Sequence, residues 1–158
     1  MPAAARIRLG NTGPIPPGRG MVGLMETVTW LLIGLLAAAP LLRYARPRGL
    51  EANKIILGRG LIVAALVYVA FAAIWGDLRW AVIELAGAGV YGMFYWLALR
   101  GSLAWLATGW ALHPAWDGLL HLAGPGSAIA PEAYVLACIS FDLAVVAYVI
   151  YRLRTASA

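Results

Sequence analysis

The chain has 158 residues, of which 63% are hydrophobic and 12% are charged, and its mean hydropathy is +0.81. Soluble globular proteins are about half apolar and about a quarter charged, so this composition excludes an ordinary soluble domain. The net charge of +5 indicates membrane topology and attraction to anionic lipid rather than nucleic-acid binding. We therefore predict an integral membrane protein.

The first twenty residues are rich in proline, glycine and alanine and contain no apolar run. Such a segment cannot bury enough apolar surface to fold, so we predict a disordered tail over 1–20 and not a cleaved signal peptide. Met21 and Met25 follow it, which leaves Met1, Met21 and Met25 as alternative translation starts. Residues 155–158 are predicted to form a short tail at the other end.

Five apolar runs follow, each close to the roughly 20 residues that a helix needs to cross a hydrocarbon core. We place the transmembrane helices near 21–42, 55–75, 78–99, 102–123 and 132–152. Many tryptophan and tyrosine residues stand at the ends of these runs, as expected for aromatic side chains at membrane interfaces. The predicted fold is an all-α, five-helix transmembrane bundle that forms a single domain over 21–154.

Basic residues concentrate in three regions that five helices would bring to the same side of the membrane. They are Arg43, Arg46, Arg48, Lys54, Arg59, Arg100, Arg152 and Arg154. The positive-inside rule then predicts a cytoplasmic C-terminus and an outside N-terminus. The predicted location is a bacterial inner membrane, with membrane lipids as partners.

The fourth run carries the only two histidines of the chain, His113 and His121, with Asp117 between them. Spacings of four residues put these side chains along one side of an α-helix. Ionisable side chains inside a membrane are costly and usually face a cavity, a pathway or a partner. This polar stripe is therefore the first candidate for a functional site.

The short connection 124–131 makes the fourth and fifth helices antiparallel neighbours and allows their side chains to be matched in depth. Counting from its midpoint sets three pairs at equal depth: His121 with Tyr134, Asp117 with Cys138, and His113 with Asp142. The same count across 100–102 brings Glu84 of the third helix level with Asp117. The deepest pair, His113 with Asp142, is the sharpest prediction.

Further residues are assigned to the same pocket. Trp110 and Trp116 would exclude water, and Glu26 lies at a compatible depth, although its rotation is not fixed by the sequence. Cys138 is more often a packing residue than a ligand in such a position. Pro114 predicts a bend near His113, because proline removes one backbone hydrogen bond of the helix.

The pattern His-x-x-Trp-Asp-x-x-x-His, followed by a short loop and a helix with Tyr, Cys and Asp, resembles a group of small, uncharacterised bacterial multi-pass membrane proteins. The resemblance covers about residues 102–150. It implies that these residues form a unit, and it implies no activity.

Imidazoles combined with carboxylates suit zinc, iron or manganese better than calcium or magnesium. The predicted metal ligands are His113, Asp117, His121 and Glu84, and either Asp142 or Glu84 would serve as a catalytic base in metal-dependent chemistry on a lipid-borne substrate. Two alternatives remain open. One is a proton or cation carrier or channel subunit, and the other is a non-catalytic accessory subunit, in each case as a homo-oligomer or with partner membrane subunits.

Overall fold

The computed structural model describes residues 19–156 of the chain, with side chains from Gly23 onward. This part is all-helical and contains no strand. Its helices are α1 (Arg19–Ala45), α2 (Leu50–Trp75), α3 (Leu78–Arg100), α4 (Ala104–Trp116) and α5 (Glu132–Ala156), and α4 continues directly into a π-helix (Asp117–Leu122). Within the described residues, α1, α2, α3 and α5 are each long and apolar enough to cross a membrane, which supports the membrane prediction.

Several helices extend beyond the apolar runs that predicted them. α1 continues to Ala45, α2 begins at Leu50 and α5 continues to Ala156. Hydropathy identifies only the part of each helix that lies inside the hydrocarbon layer. The helix itself continues beyond that layer, where its long basic side chains can reach the membrane interface. Arg19 already belongs to α1, and the rest of the predicted tail, 1–18, lies outside the described residues, as do 157 and 158.

The helices form a bundle in which short connections make chain neighbours antiparallel. α1 packs mainly against α5, α2 against α3, and α4 against both α3 and α5. Two side chains tie one end of the bundle together: the Lys54 Nζ donates to the Gly101 carbonyl (2.7 Å), and Arg152 donates to the carbonyls of Arg46 (2.9 Å) and Arg48 (2.8 Å). We call this the basic end, and the opposite end, with the connections 76–77 and 123–131, the loop end.

An apolar core fills the half of the bundle near the basic end. Trp110 is fully buried there, packed among Leu57, Leu61 and Val145, and its indole Nε1 donates to the Leu57 carbonyl (3.1 Å). The structure therefore places Trp110 in the core and not in the wall of a polar pocket. Trp110 lies almost one helical turn before His113 toward the basic end, where apolar side chains surround it.

Candidate metal centre

Two antiparallel helices bring four potential metal ligands together. His113 and Asp117 come from α4 and the start of the π-helix, and Cys138 and Asp142 come from α5. One ligand atom from each lies within 4.8 Å of every other. The exposed fractions of these residues are 1%, 0%, 8% and 0% in the same order, so the four-residue cluster is closed to water.

His113 is at the centre of the cluster. Its Nδ1 lies 2.8 Å from Asp142 Oδ2 and 3.6 Å from Asp117 Oδ2. The Cys138 Sγ lies 3.9 Å from both His113 Nδ1 and Asp142 Oδ2. The structure thus brings together the deepest pair that the sequence matched in depth, and a protonated Nδ1 donates to the Asp142 carboxylate.

Many polar atoms in this region lack a hydrogen-bond partner. Among the described residues, the buried side-chain nitrogen and oxygen atoms without one all belong to residues of this region: Tyr68 Oη, Glu84 Oε1, both Asp117 carboxylate oxygens, His121 Nε2 and Asp142 Oδ1. Burying an unpaired carboxylate costs several kcal/mol. Within residues 23–156, the carboxylates of Asp117 and Asp142 form ion pairs with histidine alone. Bound protons or a bound cation must therefore compensate their charge.

Glu84 and His121 form a separate pair on the side of the cluster toward α3. His121 Nε2 lies 3.2 Å from Glu84 Oε1 without hydrogen-bond alignment, and the Trp116 indole Nε1 donates to Glu84 Oε2 (3.2 Å). His121 Nδ1 lies 3.2 Å from the Gly126 carbonyl, which can only accept, so Nδ1 carries a proton. Nε2 then faces a carboxylate, and the Glu84–His121 pair is satisfied when it holds one further proton.

This separation differs from the single ligand set of His113, Asp117, His121 and Glu84 that the sequence predicted. The count by fours assumed a regular α-helix, whereas Asp117–Leu122 is π-helical, with Ala123 N donating to the Gly118 carbonyl five residues earlier (3.0 Å). A wider turn changes the direction of a side chain four residues along. His121 consequently faces Glu84, and Cys138 joins the cluster in its place.

Two tyrosines that the sequence patterns did not identify enclose the site. The Tyr68 ring of α2 stacks on His121 (centroids 4.6 Å apart) and meets His113 edge-on (5.7 Å), and the Tyr91 ring of α3 lies 5.0 Å from His113. Both residues are buried. A tyrosine inside an apolar span carries a hydroxyl that needs a hydrogen-bond partner. This requirement is the feature of the sequence that could have identified both residues.

The remaining predicted pocket residues divide between the site and the surface. Trp116 covers Glu84, and Tyr134 contacts the Tyr68 ring (5.7 Å). Glu26 does not join the cluster: it is exposed on α1 and lines a surface depression together with Glu132. Depth alone placed it near the site, and its rotation on α1 turns it outward.

Comparison with family models, with curated proteins and with solved structures found no match for this chain. The side chains that the fold brings together are therefore the basis for its function.

Proposed function

We propose that this protein is an integral membrane protein that binds one divalent transition-metal ion at the four-residue cluster, with zinc as the preferred ion. The observation that carries the proposal is the convergence of four buried ligand atoms within 4.8 Å, combined with a buried Asp117 carboxylate that makes no hydrogen bond of normal geometry, although the Tyr68 hydroxyl and the Cys138 thiol interact with it. A buried, unpaired carboxylate is costly in a stable protein unless a ligand compensates it.

The set of donor atoms favours zinc. Zinc accepts cysteine sulfur, histidine nitrogen and carboxylate oxygen at about 2.0–2.3 Å, so the ligands of a tetrahedral ion lie roughly 3.3–3.8 Å apart. The longest separation between ligand atoms, up to 4.8 Å, would need to shorten by about 1 Å, and the 2.8 Å between His113 Nδ1 and Asp142 Oδ2 would need to lengthen by about 0.5 Å. A thiol donor argues against manganese, calcium and magnesium, which prefer oxygen, and leaves iron as the second choice.

The charges also suit a divalent cation. Asp117 and Asp142 supply two negative charges, and the ion would replace the proton that His113 Nδ1 shares with Asp142. Cys138 as a thiolate would add a third negative charge and leave the site with a net charge of −1. One proton retained in the cluster would make it neutral. Metal binding then releases protons and strengthens as the pH rises.

The basic end supports one orientation of the chain. If that end is cytoplasmic, as the positive-inside rule favours, the N-terminus lies outside and the cluster occupies the outer half of a bacterial cell membrane. An ion at this depth would polarise a substrate or a bound water away from bulk solvent. Asp142 cannot act as a base while it binds the metal ion. The Glu84–His121 pair would therefore exchange the proton during metal-dependent chemistry on a lipid-borne substrate.

A second candidate function is proton carriage, favoured by the proton that the Glu84–His121 pair needs. Tyr68 contacts both histidine rings, and its buried hydroxyl has no partner, so polar groups run from His121 to Asp142 without a basic residue. Proton flux into proteoliposomes, compared between the wild type and the double variant Asp117→Asn, Asp142→Asn, tests this function. Flux without metal binding would favour carriage over the metal centre.

The metal proposal is tested by metal content. The protein is purified in mild detergent, equilibrated with zinc and freed of excess, and the wild type should retain about one zinc ion per chain. Asp117→Asn and His113→Ala should each lose most of it. Glu132→Gln, which removes an exposed carboxylate from the same helix as Asp142, should retain it. Equal zinc contents in all four proteins would overturn the proposal.

A further inference from the structure

The four-residue cluster borders an apolar groove between α1, α2 and α5. The groove has a volume of about 390 Å³, within the range of small-ligand sites. Ile33 and Val63 line it and are 43% and 62% exposed, so it opens on the outer surface of the bundle. That surface faces lipid if the helices span the membrane. Its lining contains no charged residue.

Cys138 connects the groove to the cluster. Its side chain lines the groove, while its Sγ lies 3.9 Å from His113 Nδ1 and from Asp142 Oδ2. A second apolar groove, about 440 Å³ between α3 and α4, is bordered by Tyr91 and Trp116 but by no residue of the cluster. Of these two grooves, only the one between α1, α2 and α5 gives direct access from lipid to the candidate metal ligands.

The volume of the groove limits what can occupy it. A helix with its side chains is about 10 Å wide, and a cylinder of that width with this volume would be only about 5 Å long, less than one helical turn. The groove lining runs from Ile33 to Leu41 on α1, about 12 Å at 1.5 Å per residue, so this volume corresponds to a groove about 6 Å wide. An aliphatic chain about 5 Å wide lies within such a groove, whereas a helix of a second protein could place only side chains in it.

We propose that this groove binds one aliphatic chain of a lipid substrate and presents its polar end to Cys138 and the metal ion. This inference rests on the proposed metal centre and adds the class of substrate and its route. The apolar walls hold the chain, and Tyr134 and Cys138 are the two lining residues whose side chains carry a polar group.

The test uses a palmitic acid analogue that carries a photoreactive diazirine in its chain, with the full-length protein in lipid nanodiscs. Cross-links in the wild type should map to segments of α1, α2 and α5 that line the groove. Ala37→Trp, an exposed position in the groove wall, should abolish them because the indole fills the groove. Ala39→Trp, also exposed on α1 but outside the groove, is the matched control and should leave them unchanged.

Metal content, measured on the same three proteins, separates the two proposals. The groove proposal is supported if all three proteins contain the same amount of zinc and only Ala37→Trp loses the cross-links. Cross-links that persist in Ala37→Trp or map to α3 and α4, or a wild-type groove that takes no label because a second protein chain covers it, would overturn it even if zinc is bound. Groove cross-links without zinc in the wild type would instead overturn the metal centre.

Discussion

Asp117 is the residue at which stability and ligand binding conflict most directly. Its carboxylate is fully buried, neither oxygen makes a hydrogen bond of normal geometry, and its ion-pair partner among the described residues is His113, 3.6 Å away. Natural proteins retain such groups where function requires them, at a cost in stability. Replacing this carboxylate should therefore affect folding and metal binding in opposite directions.

We predict that Asp117→Asn raises the free energy of unfolding of the metal-free protein by about 1 kcal/mol, because the amide keeps the volume and removes a buried charge. Zinc should stabilise the wild type and leave this variant unchanged. Unfolding in mixed micelles with and without zinc measures both effects, with Glu132→Gln as the control. A less stable variant that zinc still stabilises would contradict this prediction.

Glu84 is predicted to act through its hydrogen-bonding groups and not as a metal ligand. Glu84→Ala removes the acceptor of the partly buried Trp116 Nε1 and the carboxylate that faces the buried His121 Nε2, so it should cost about 2 kcal/mol of unfolding free energy. Glu84→Gln can still accept from Trp116 and donate to His121, so it should cost less than about 1 kcal/mol. Zinc content should stay at the wild-type level in Glu84→Gln, and its loss would place Glu84 in the ligand set.

At the level of the helices, the fourth shows most clearly what the sequence could and could not predict. Its length, its pairing with α5 and the common depth of His113 and Asp142 follow from apolar runs and short connections, which constrain depth well. The change from α-helix to π-helix at Asp117 does not follow, because it depends on how the turn near Gly124 and Gly126 closes. That change separates His121 from the cluster. Matching residues by depth does not determine how each helix is rotated about its axis.

The contact between α1 and α5 depends on a glycine. A Cβ at Gly34 would overlap the backbone carbonyl of Ala137, the residue before Cys138, whereas a Cβ at Gly23 on the same helix would meet nothing. Gly34→Ala should therefore destabilise the protein by about 2 kcal/mol, since the two helices must separate. Gly23→Ala is the matched control and should be neutral or slightly stabilising. Equal thermal unfolding temperatures for the two variants would argue against this packing.

At the scale of the whole molecule, the basic residues and the candidate site lie toward opposite ends of the bundle. Lys54 and Arg152 tie together the basic end, while the four-residue cluster and the Glu84–His121 pair lie toward the loop end. Composition alone predicts the membrane class and the helices, because hydrophobicity determines both. The enclosing tyrosines and the apolar groove could not be predicted, since they depend on how α1, α2 and α3 are rotated against α5.

The basic end predicts one orientation of the molecule in the membrane, and this prediction is open to a direct test. A green fluorescent protein fused after Ala158 should fluoresce, and an alkaline phosphatase fused at the same place should be inactive, because the C-terminus is predicted to be cytoplasmic. Reporter activities measured in bacterial cells check this. An active phosphatase at the C-terminus would reverse the orientation and move the cluster to the inner half of the membrane.

The central claim is that His113, Asp117, Cys138 and Asp142 hold one metal ion, and X-ray absorption of the zinc-loaded protein tests it most directly. The predicted spectrum contains one sulfur at about 2.3 Å and three nitrogen or oxygen neighbours at about 2.0–2.1 Å, in four-coordinate geometry. The sulfur contribution should disappear in Cys138→Ser, since the chain has one cysteine. A wild-type spectrum with six oxygen or nitrogen neighbours and no sulfur, unchanged in Asp117→Asn, would contradict the account.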